Sequence, residues 1–554
     1  MARAVSVGTQ DFEKLILNNC FYVDKTSFIR EWWESQDEVT LITRPRRFGK
    51  TLNISMLERF LSLKYEGQGG LFQGLEIWKE EKYRNLQGTY PVISLSFAGV
   101  KETNYNSARR MIGYILSELY SQHAYLKESR VLTDQDRRFY EKVSPEMDQV
   151  EAVLAVRNLC KYLWLYHKKK VIILLDEYDT PMQEAYVNGF WKELTDFTRS
   201  LFNNTFKTNP YMERAIMTGI TRVSKESMFS DLNNLKVITA ASDQYASCFG
   251  FTEDEVFSAL EEYGLTDADR VKYWYDGFSA GRYQSIYNPW SVINLLDTGE
   301  FKAYWANTST NGLAGSLIRK GSRDMKVMFE QLLSGGTIRA RIDEEIAYQQ
   351  LDRTENAVWS LLLAGGYLKI IGIWGNLYEM ALTNYEVKQT FEKMVLDWFE
   401  TDASNYNGLI RALLAGEVEA MNGYMNRVAL SLFSSFDGGL HPSEESSPER
   451  FYHGFVLGLL VELEGRYVVT SNRESGFGRY DVMLEPLNGE DDAIILEFKV
   501  HNPRKEAGLE ETVQAALRQI EEKKYDQRLI DQGIKKERIR RYGFAFQGKR
   551  VLIG

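Results

Sequence analysis

The amino-acid sequence predicts an α/β protein with a parallel sheet first, a mainly helical region in the middle and a small α/β region at the end. Two observations favour this fold class. Over the first 250 residues, short apolar runs alternate with longer helical patterns, which is typical of a parallel sheet wrapped by helices. The last 110 residues have the order helix, three strands, helix, strand.

The parallel sheet is predicted from four apolar runs in the first region. They cover residues 39–43, 92–97, 171–175 and 215–219. Each run is short and rich in β-branched residues, as the buried strands of a parallel sheet are. Periodicity alone leaves open the alternative that these runs are buried helical segments.

The middle region, residues 251–380, has a mainly helical pattern, and Thr252 and Glu255 form a predicted capping pair at its start. We expect a helical lid and a winged-helix-like extension here. The apolar stretch 358–375 is interrupted by Lys369 and by glycines. It is therefore predicted to be helix, turn and strand rather than a membrane span.

These patterns predict four domains. The first covers residues 1–250, the middle region 251–380, a helical connector 381–440 and the last domain 441–554. The last boundary follows the sequence SSFDGGLHPSEESSPER, which is rich in Ser, Gly and Pro. In the last domain we predict a helix after Pro448, strands near 467–470, 480–484 and 493–500, a helix over 507–523 and a strand near 542–547.

The composition excludes some classes of function. A net charge of -10 and a pI near 5.4 argue against a protein that coats nucleic acid by charge alone, but leave a local basic groove open. The three cysteines lack the spacing of a metal site or disulfide framework, so we interpret them as buried thiols. Because the N-terminus lacks a secretory pattern, we expect a soluble cytoplasmic protein without a membrane partner.

A phosphate-binding loop is predicted where LITRPRRFGKT leads from a strand into a helix. Gly49 lets the backbone approach a phosphate, Lys50 can reach the outer phosphates of ATP, and the Thr51 hydroxyl can ligate magnesium. Arg44 stands where the usual pattern has glycine, so a basic turn is the alternative. The predicted ATP-binding residues of the loop are Arg46, Arg47, Phe48, Gly49, Lys50 and Thr51.

A second element, VIILLDEYD, supports the same site. Asp176 is predicted to hold Mg²⁺ and Glu177 to act as the catalytic residue that polarises water; the alternative is a solvated acidic turn after a buried strand. In ERAIMTGITRVS, Thr218 and Thr221 are either sensors of the γ-phosphate or caps of a strand end. Arg222 is predicted to contact ATP, in cis or toward a neighbouring subunit of a homo-oligomer, or else is solvent-exposed. The predicted cofactors are ATP and Mg²⁺.

Five runs together resemble the AAA-ATPase-like family of bacterial P-loop proteins over roughly the first 300 residues. They are NNCFYVDKTSFI, TRPRRFGKT, LLDEYDTPM, MTGITRVSKESMFSDLNNL and WYDGFSAGRYQSIYNPWS. The resemblance implies a P-loop NTPase sheet and a normal place for Arg44 in the loop RPRRFGK. It also places Tyr22, Asp24 and Lys25 in a family motif ahead of the loop, with a structural or a nucleotide-proximal role.

A carboxylate and lysine site is predicted in GRYDVMLEPLNGEDDAIILEFKV. Glu497 and Lys499 project from the same face of one strand, beside Asp481 on the next. The carboxylates Asp481 and Glu497 can hold Mg²⁺, which activates water, and Lys499 can orient that water or stabilise the developing charge. The alternative is a solvated strand face, although Glu and Lys are costly to bury among such apolar neighbours.

Further side chains near this segment are candidates for the same site. Glu449, at the start of the preceding helix, is predicted to add a catalytic carboxylate, and Gln519 lies on the following helix. His453 is more often structural at such a position, and because the histidines are unclustered we do not expect zinc.

The tail resembles the PD-(D/E)XK nuclease superfamily through FYHGFVLGLL, SNRESGFGRYDVML and ILEFKV. Asp481, Glu497 and Lys499 match the D, E and K of the motif, while Tyr480 stands in the place of its proline. The resemblance implies a restriction-endonuclease-like α/β domain with nucleic acid, DNA or RNA, as partner. Candidate phosphate contacts are Arg473, Arg479, Lys535, Lys536, Arg538, Arg540 and Arg541, which are alternatively solvated surface charges.

The sequence thus supports an ATPase that gates a Mg²⁺-dependent endonuclease, and the resemblance adds a role in defence against mobile elements. One alternative is an ATP-driven switch or assembly protein whose tail binds nucleic acid without cleaving it. A motor that moves along DNA is the third hypothesis, and it requires strong stimulation of ATP hydrolysis by nucleic acid.

Overall fold

A computed structural model describes residues 2–221, 229, 232–305, 312–343, 348–351, 354–397, 406–432, 456–457, 460, 463, 465–471, 474–475, 478–489, 491–503, 505–547 and 550–554. The chain divides into two compact units. The first comprises Met1–Leu317 and Thr337–Thr390, and the second comprises Ile318–Gly336 and Phe391–Gly554. The four predicted domains stay a prediction.

The core of the first unit is a parallel sheet of five strands in the order β2-β3-β4-β1-β5. Its strands are β1 Val39–Thr43, β2 Val92–Ser96, β3 Val171–Asp176, β4 Met212–Gly219 and β5 Leu235–Ile238. The four predicted strands are therefore confirmed, and β5 is an addition. Because β4 lies between β1 and β3, the carboxyl ends of these three strands meet at one edge, where open α/β sheets bind ligands.

Ten helices accompany this sheet in the described part of the chain before residue 207. They are α1 Phe12–Leu17, α2 Ser27–Ser35, α3 Lys50–Leu61, α4 Glu81–Arg84, α5 Tyr105–Gln122, α6 Tyr125–Glu128, α7 Asp134–Lys142, α8 Gln149–His167, α9 Thr180–Asn188 and α10 Trp191–Phe206. Local sequence starts several of them: α8 begins with a capping box in which Asp148 and Glu151 bond each other's backbone amides. Short 3₁₀ helices cover Leu63–Tyr65, Gly69–Phe72, Glu76–Lys79, Tyr348–Gln350 and Lys536–Arg538.

The region 251–380 contains strands as well as helices, so the prediction of a mainly helical region is incomplete. Its helices are α11 Glu253–Tyr263, α12 Ala268–Tyr275, α13 Pro289–Thr298, α14 Gly312–Lys320, α15 Arg323–Leu333 and α16 Glu355–Ala364. Its strands are β6 Phe251–Thr252, β7 Phe278–Ala280, β8 Tyr283–Tyr287, β9 Ile338–Arg341, β10 Leu368–Trp374 and β11 Leu377–Leu382. They form two antiparallel sheets, in the orders β6-β8-β7 and β10-β11-β9.

Two local predictions in this region are confirmed. Thr252 and Glu255 form the capping box of α11, and the apolar stretch 358–375 is the end of α16, a turn and β10. A helix followed by an antiparallel hairpin fits the predicted winged-helix-like extension. In the described residues, every helix is too short or too polar to cross a membrane.

The second unit is built on a mixed sheet in the order β12-β15-β16-β17-β18. Its strands are β12 Tyr467–Ser471, β15 Val482–Pro486, β16 Ala493–Val500, β17 Ile539–Gln547 and β18 Arg550–Ile553, and a separate hairpin joins β13 Glu474–Ser475 to β14 Gly478–Arg479. All neighbours are antiparallel except β16 and β17. The predicted strands of this segment are confirmed, and β18 was not predicted.

Helices cover both faces of this mixed sheet. In the described residues after 384, the helices with assigned bounds are α17 Tyr385–Asp397, α18 Tyr406–Ala415, α19 Val418–Leu432, α20 Leu509–Glu522 and α21 Gln527–Asp531. On one face, Leu496 and Phe498 share a core with Leu413 and Met421 of α18 and α19. On the other face, Ile495 packs in a core with the buried side chains of α20 and α21. The predicted helix after Pro448 falls largely outside the described residues.

Candidate functional sites

The predicted phosphate loop joins β1 to α3. Gly49 directly precedes α3 and has a φ of 81°, in the left-handed region that glycine adopts without strain. Arg44, at the start of the loop, is buried, and its Nη1 donates to the carbonyl oxygens of Thr43 at 2.9 Å and Thr239 at 2.7 Å. Burial lowers the pKa of Arg44 to about 10, so the side chain stays charged at neutral pH. The arginine therefore ties the base of the loop to the chain that follows β5.

Lys50 is almost completely buried at the start of α3, with 3% of its surface exposed. Its Nζ donates to the carbonyl oxygens of Arg44 at 3.2 Å and Pro45 at 3.1 Å. It also lies 3.4 Å from a carboxylate oxygen of Glu177. A buried ammonium group is costly unless such partners surround it, and these partners hold Lys50 against the loop.

Asp176, at the end of β3, lies between two hydroxyl groups. Thr51 of α3 donates to its Oδ2 at 2.7 Å, and Thr218 of β4 donates to its Oδ1. Burial is the main cause that raises the pKa of Asp176, and the charge of Glu177 raises it further. The donor set of one carboxylate and two hydroxyls consists of hard oxygen ligands and fits Mg²⁺.

Glu177 follows Asp176 in an unusual backbone conformation. Its φ is 51°, in the left-handed region that non-glycine residues seldom adopt. Such conformations occur where the surrounding structure fixes them, and they are frequent at functional sites. The conformation accompanies the ion pair between Glu177 and Lys50.

Arg46, Arg47 and Phe48 lie in the same loop, in three different environments. The Arg46 Nη2 donates to Gln183 of α9 at 2.9 Å. The Arg47 guanidinium lies 4.2 Å from the ring centroid of Trp290. Phe48 is buried and packs edge-on against Phe278. Arg222 lies outside the described residues.

The motif ahead of the loop lies next to it in space. Lys25 is buried, and its Nζ donates to Glu255 and to the Ser247 carbonyl oxygen at 2.7 Å. Tyr22 and Lys25 border a cavity that also reaches Gly49. Asp24 instead accepts from the amide and the hydroxyl of Thr26, the residue directly before α2.

Asp179 is a functional candidate that sequence patterns do not single out, although it lies three residues after Asp176 in the same acidic run. Its Oδ2 accepts from the amides of Ile220 at 3.0 Å and Thr221 at 2.8 Å, and from the Thr221 hydroxyl at 2.9 Å. A Cβ at Gly219 would meet Asp179 Oδ1 at 2.6 Å. Asp179 therefore fixes the chain directly after β4. Its side chain has room there because residue 219 is glycine.

Asp179→Asn is expected to change how stability depends on pH. Burial raises the pKa of Asp179 to about 6 from an ordinary value of 3.8. Between these values the folded chain binds a proton that the unfolded chain has released. Wild-type stability should therefore rise relative to the variant as the pH falls from about 6 to about 4, by up to about 1.4 kcal/mol per pH unit.

Urea unfolding at several pH values measures this difference. The matched control is Asp269→Asn, which changes an exposed aspartate of α12 and should shift stability little at any pH in this range. A constant difference between wild type and Asp179→Asn would contradict the prediction.

The carboxylate and lysine site lies on β16 and the start of β15. Asp481 directly precedes β15, and its Oδ2 accepts from the Phe498 amide of β16 at 2.8 Å. Glu497 is buried, with 1% of its surface exposed. Val482 pairs with Leu496 in the register of the two strands, so Asp481 lies opposite Glu497.

Gln519 of α20 joins the two charged side chains of β16. Its Nε2 donates to Glu497 Oε1, and its Oε1 accepts from Lys499 Nζ at 2.7 Å. The same Nε2 donates to the hydroxyl of Tyr525 at 3.0 Å. The pKa of Tyr525 is raised mainly by burial, and also by the charges of Glu497 and Asp481. Asp481, Glu497 and Lys499 are thus brought together on the side of the sheet that α20 covers.

The donor set at this site fits Mg²⁺, which proteins often bind through one or two carboxylates while waters and substrate phosphates complete the shell. Within the described ranges, no group of three or more His, Cys, Asp or Glu side chains could hold a metal ion. Glu449, His453 and Arg473 lie outside the described residues, as does the side chain of Arg479.

The arginines of the predicted basic run make contacts inside the second unit. Arg538 and Arg540 form ion pairs with Asp492, and Arg541 forms one with Asp526. These contacts favour a structural role for the three arginines over phosphate binding, because their charges are already paired. Lys535 and Lys536 are exposed.

Comparison with known proteins gives one match for each unit. Residues 6–229 match the family described as predicted AAA-ATPase, and residues 447–554 match the PD-(D/E)XK nuclease superfamily. Both family resemblances expected from the sequence are confirmed, and with them the α/β fold class.

Two individual proteins are similar over much of the chain. A protein of Azotobacter chroococcum mcd 1, described as uncharacterized and in the vnfD 5′ region, is 27% identical over 522 residues, which are 90% of this chain and 89% of that protein. The ORC2 protein of Aeropyrum pernix, solved in ADPNP and ADP complexes, is 10% identical and covers 67% of this chain and 92% of its own, with a TM-score of 0.23.

Proposed function

From one segment that matches a predicted AAA-ATPase and one that matches the PD-(D/E)XK nuclease superfamily, we propose a nucleotide-gated nuclease. The first unit binds and hydrolyses ATP, and the second cuts phosphodiester bonds of nucleic acid with Mg²⁺. The observation that carries the proposal is the bridge that Gln519 makes between Glu497 and Lys499, beside Asp481. The nucleotide bound to the first unit controls whether the second unit cuts.

The ATP site uses the groups around Lys50. Thr51 and Asp176 would hold Mg²⁺, which would neutralise the outer phosphates, and the Lys50 ammonium adds a positive charge beside them. Glu177 polarises the water that attacks the γ-phosphorus, and ADP leaves. In support of these roles, the two magnesium ligands already lie 2.7 Å apart, and Glu177 lies 3.4 Å from Lys50.

The nucleotide base occupies the cavity beside the loop. Gly49 and Asn53 of the loop and α3 form one wall, Tyr22 another, and Pro289 and Ile293 of α13 a third. Ligand sites are usually concave, mostly apolar and close to the groups that orient the ligand. The position of this cavity supports a base that lies against α13 while its phosphates extend along the loop.

The nuclease site uses the carboxylates of the second unit. Asp481 and Glu497 would hold Mg²⁺, which would supply a more acidic water and charge neutralisation at the scissile phosphate. Lys499 stabilises the charge that develops on the phosphate. Gln519 supports this role because it orients the Lys499 ammonium at 2.7 Å.

A second function is an ATP-driven switch that binds nucleic acid without cutting it. One observation favours it: in the described part of the nuclease-like unit, no third His, Cys, Asp or Glu joins Asp481 and Glu497 to complete a metal-binding group. A site with two carboxylates can bind phosphates through Mg²⁺ without activating a water. Cleavage assays separate the two functions.

A panel of labelled DNA and RNA molecules tests the proposal. Each is incubated with the purified full chain and Mg²⁺, without nucleotide, with ATP or with a non-hydrolysable ATP analogue, and EDTA is the control. Mg²⁺-dependent cutting that changes with the nucleotide is the expected result. Nucleic-acid binding without cutting in every condition would support the switch, and absence of ATP binding would refute the gating step.

The cellular setting is part of the proposal. We place the protein in the bacterial cytoplasm as a homo-oligomer that acts against mobile elements, in keeping with its three free cysteines and the family resemblance. Cells that produce the protein should restrict a plasmid or phage, and cells with Lys499→Ala should not.

A further inference from the structure

The Arg46 carbonyl in the phosphate loop accepts hydrogen bonds from two distant side chains. Asn288 Nδ2 donates to it at 3.1 Å, and Trp305 Nε1 donates at 3.0 Å. Asn288 is fully buried directly before α13, and Trp305 is 5% exposed. Both belong to the first unit and follow the loop by more than 200 residues.

One carboxylate, that of Glu386 in the first turn of α17, bonds the two chain segments that carry these donors. Its Oε1 accepts from the Trp305 amide at 2.7 Å, and its Oε2 accepts from the Ser291 hydroxyl at 2.8 Å. The Tyr304 amide is a further donor. Since Ser291 lies in the same first turn of α13 that Asn288 caps, the carboxylate anchors the two branches that end on the Arg46 carbonyl.

Aromatic packing strengthens one of these branches. The Trp305 ring packs against Phe278 and Tyr367, with ring centroids 5.6 Å and 5.2 Å apart. Phe278 in turn packs against Phe48 of the loop at 4.9 Å. The indole therefore contacts the loop through its N–H and, by way of Phe278, through its ring.

The position of Glu386 is energetically demanding. Its surface is 0% exposed, and burial raises its pKa to about 7. Removing a carboxylate from water is costly unless hydrogen bonds replace the lost solvation. Here three donors replace it, and one of them is the amide of Trp305, whose indole N–H donates to the phosphate loop.

We infer that Glu386 is a positioning residue for nucleotide binding, which acts through Trp305, Ser291 and Asn288 to fix the Arg46 carbonyl. A fixed carbonyl sets the orientation of the following peptide groups, and hence the direction of the loop amides and Lys50 toward the phosphates. The inference rests on the proposed function, because it requires a nucleotide at this loop.

Nucleotide affinity tests the inference directly. A fluorescent ATP analogue is titrated into the full-length wild type, Glu386→Ala, Glu386→Gln and Trp305→Phe. We expect Glu386→Ala and Trp305→Phe to bind about 10-fold more weakly, a loss of about 1.4 kcal/mol. Glu386→Gln keeps one acceptor and should lie between Glu386→Ala and the wild type.

The indole N–H signal of Trp305 provides a readout that a purely structural role would not change. The signal is identified in nitrogen-15 NMR spectra by its loss in Trp305→Phe. In the wild type it should shift when the analogue binds, and in Glu386→Ala it should differ already without nucleotide. The milder variant Ser291→Ala, which removes one donor, repeats the test if Glu386→Ala does not fold.

Matched controls separate the possible outcomes. Glu261→Gln changes an exposed glutamate of α11, and Trp374→Phe changes a half-exposed tryptophan of β10; neither should change affinity. If the wild type binds the analogue, and folded Glu386→Ala and Ser291→Ala bind it with an affinity within 2-fold of the wild type, the inference about Glu386 is wrong but the proposed function stands. A wild type that binds no nucleotide would overturn the proposed function as well.

Discussion

Lys499→Ala is expected to reduce cleavage of nucleic acid by at least about 100-fold, the usual effect of removing one group that stabilises transition-state charge. Lys499 Nζ is held at 2.7 Å from Gln519, on the strand face that carries Glu497. Without the ammonium, the charge on the scissile phosphate loses its nearest protein cation in the proposed site. Single-turnover cleavage of a labelled substrate measures the loss.

ATP hydrolysis in the same preparation is the internal control, because it depends on residues of the first unit. Lys523→Ala removes an exposed lysine next to the end of α20 and should cut at the wild-type rate. Asp481→Ala should resemble Lys499→Ala, since it removes a proposed magnesium ligand. Cleavage by both variants within 3-fold of wild type would place the cutting site elsewhere in the chain.

Lys50→Ala is expected to have a comparable effect on ATP hydrolysis, a loss of at least about 100-fold. The variant removes the cation proposed to contact the outer phosphates and leaves Glu177 without its ion pair. Cleavage by the variant should then be the same with ATP, with the analogue and without nucleotide. Phosphate release and the cleavage assay measure the two effects.

The control for this variant is Lys207→Ala, at an exposed position after α10, which should hydrolyse ATP normally. Nucleotide-dependent cutting that persists in a Lys50→Ala protein unable to bind ATP would show that gating does not use this loop.

The central sheet could be predicted because parallel strands buried on both faces are continuous apolar runs. Residues 39–43 and 171–175 therefore stand out in the sequence, and β1 and β3 lie there. The hairpin of β7 and β8 could not be predicted in the same way. Its strands contain exposed positions, as the pattern of β8 shows, and their pairing depends on tertiary contacts.

Site residues could likewise be predicted from the sequence where they lie in short motifs, but not where their contacts are distant along the chain. Lys50, Thr51 and Asp176 sit in short motifs whose chemistry is readable from neighbouring residues. Trp305 and Glu386 carry no such signal, because their contacts join segments separated by 259 and 81 residues. Asp179 is an intermediate case: its acidic run was visible, but its bonds to Ile220 and Thr221 depend on how β3 and β4 pair.

The amide of Gln519 keeps an anion and a cation from neutralising each other. If Glu497 and Lys499 met directly, their mutual attraction would compete with the attraction of the carboxylate for a metal ion. A side chain that offers N–H to one and C=O to the other holds both in place without cancelling either charge. Glutamate at this position would repel Glu497, and methionine would bond neither, so the neutral amide preserves both charges for the phosphate and the metal ion of the proposed nuclease site.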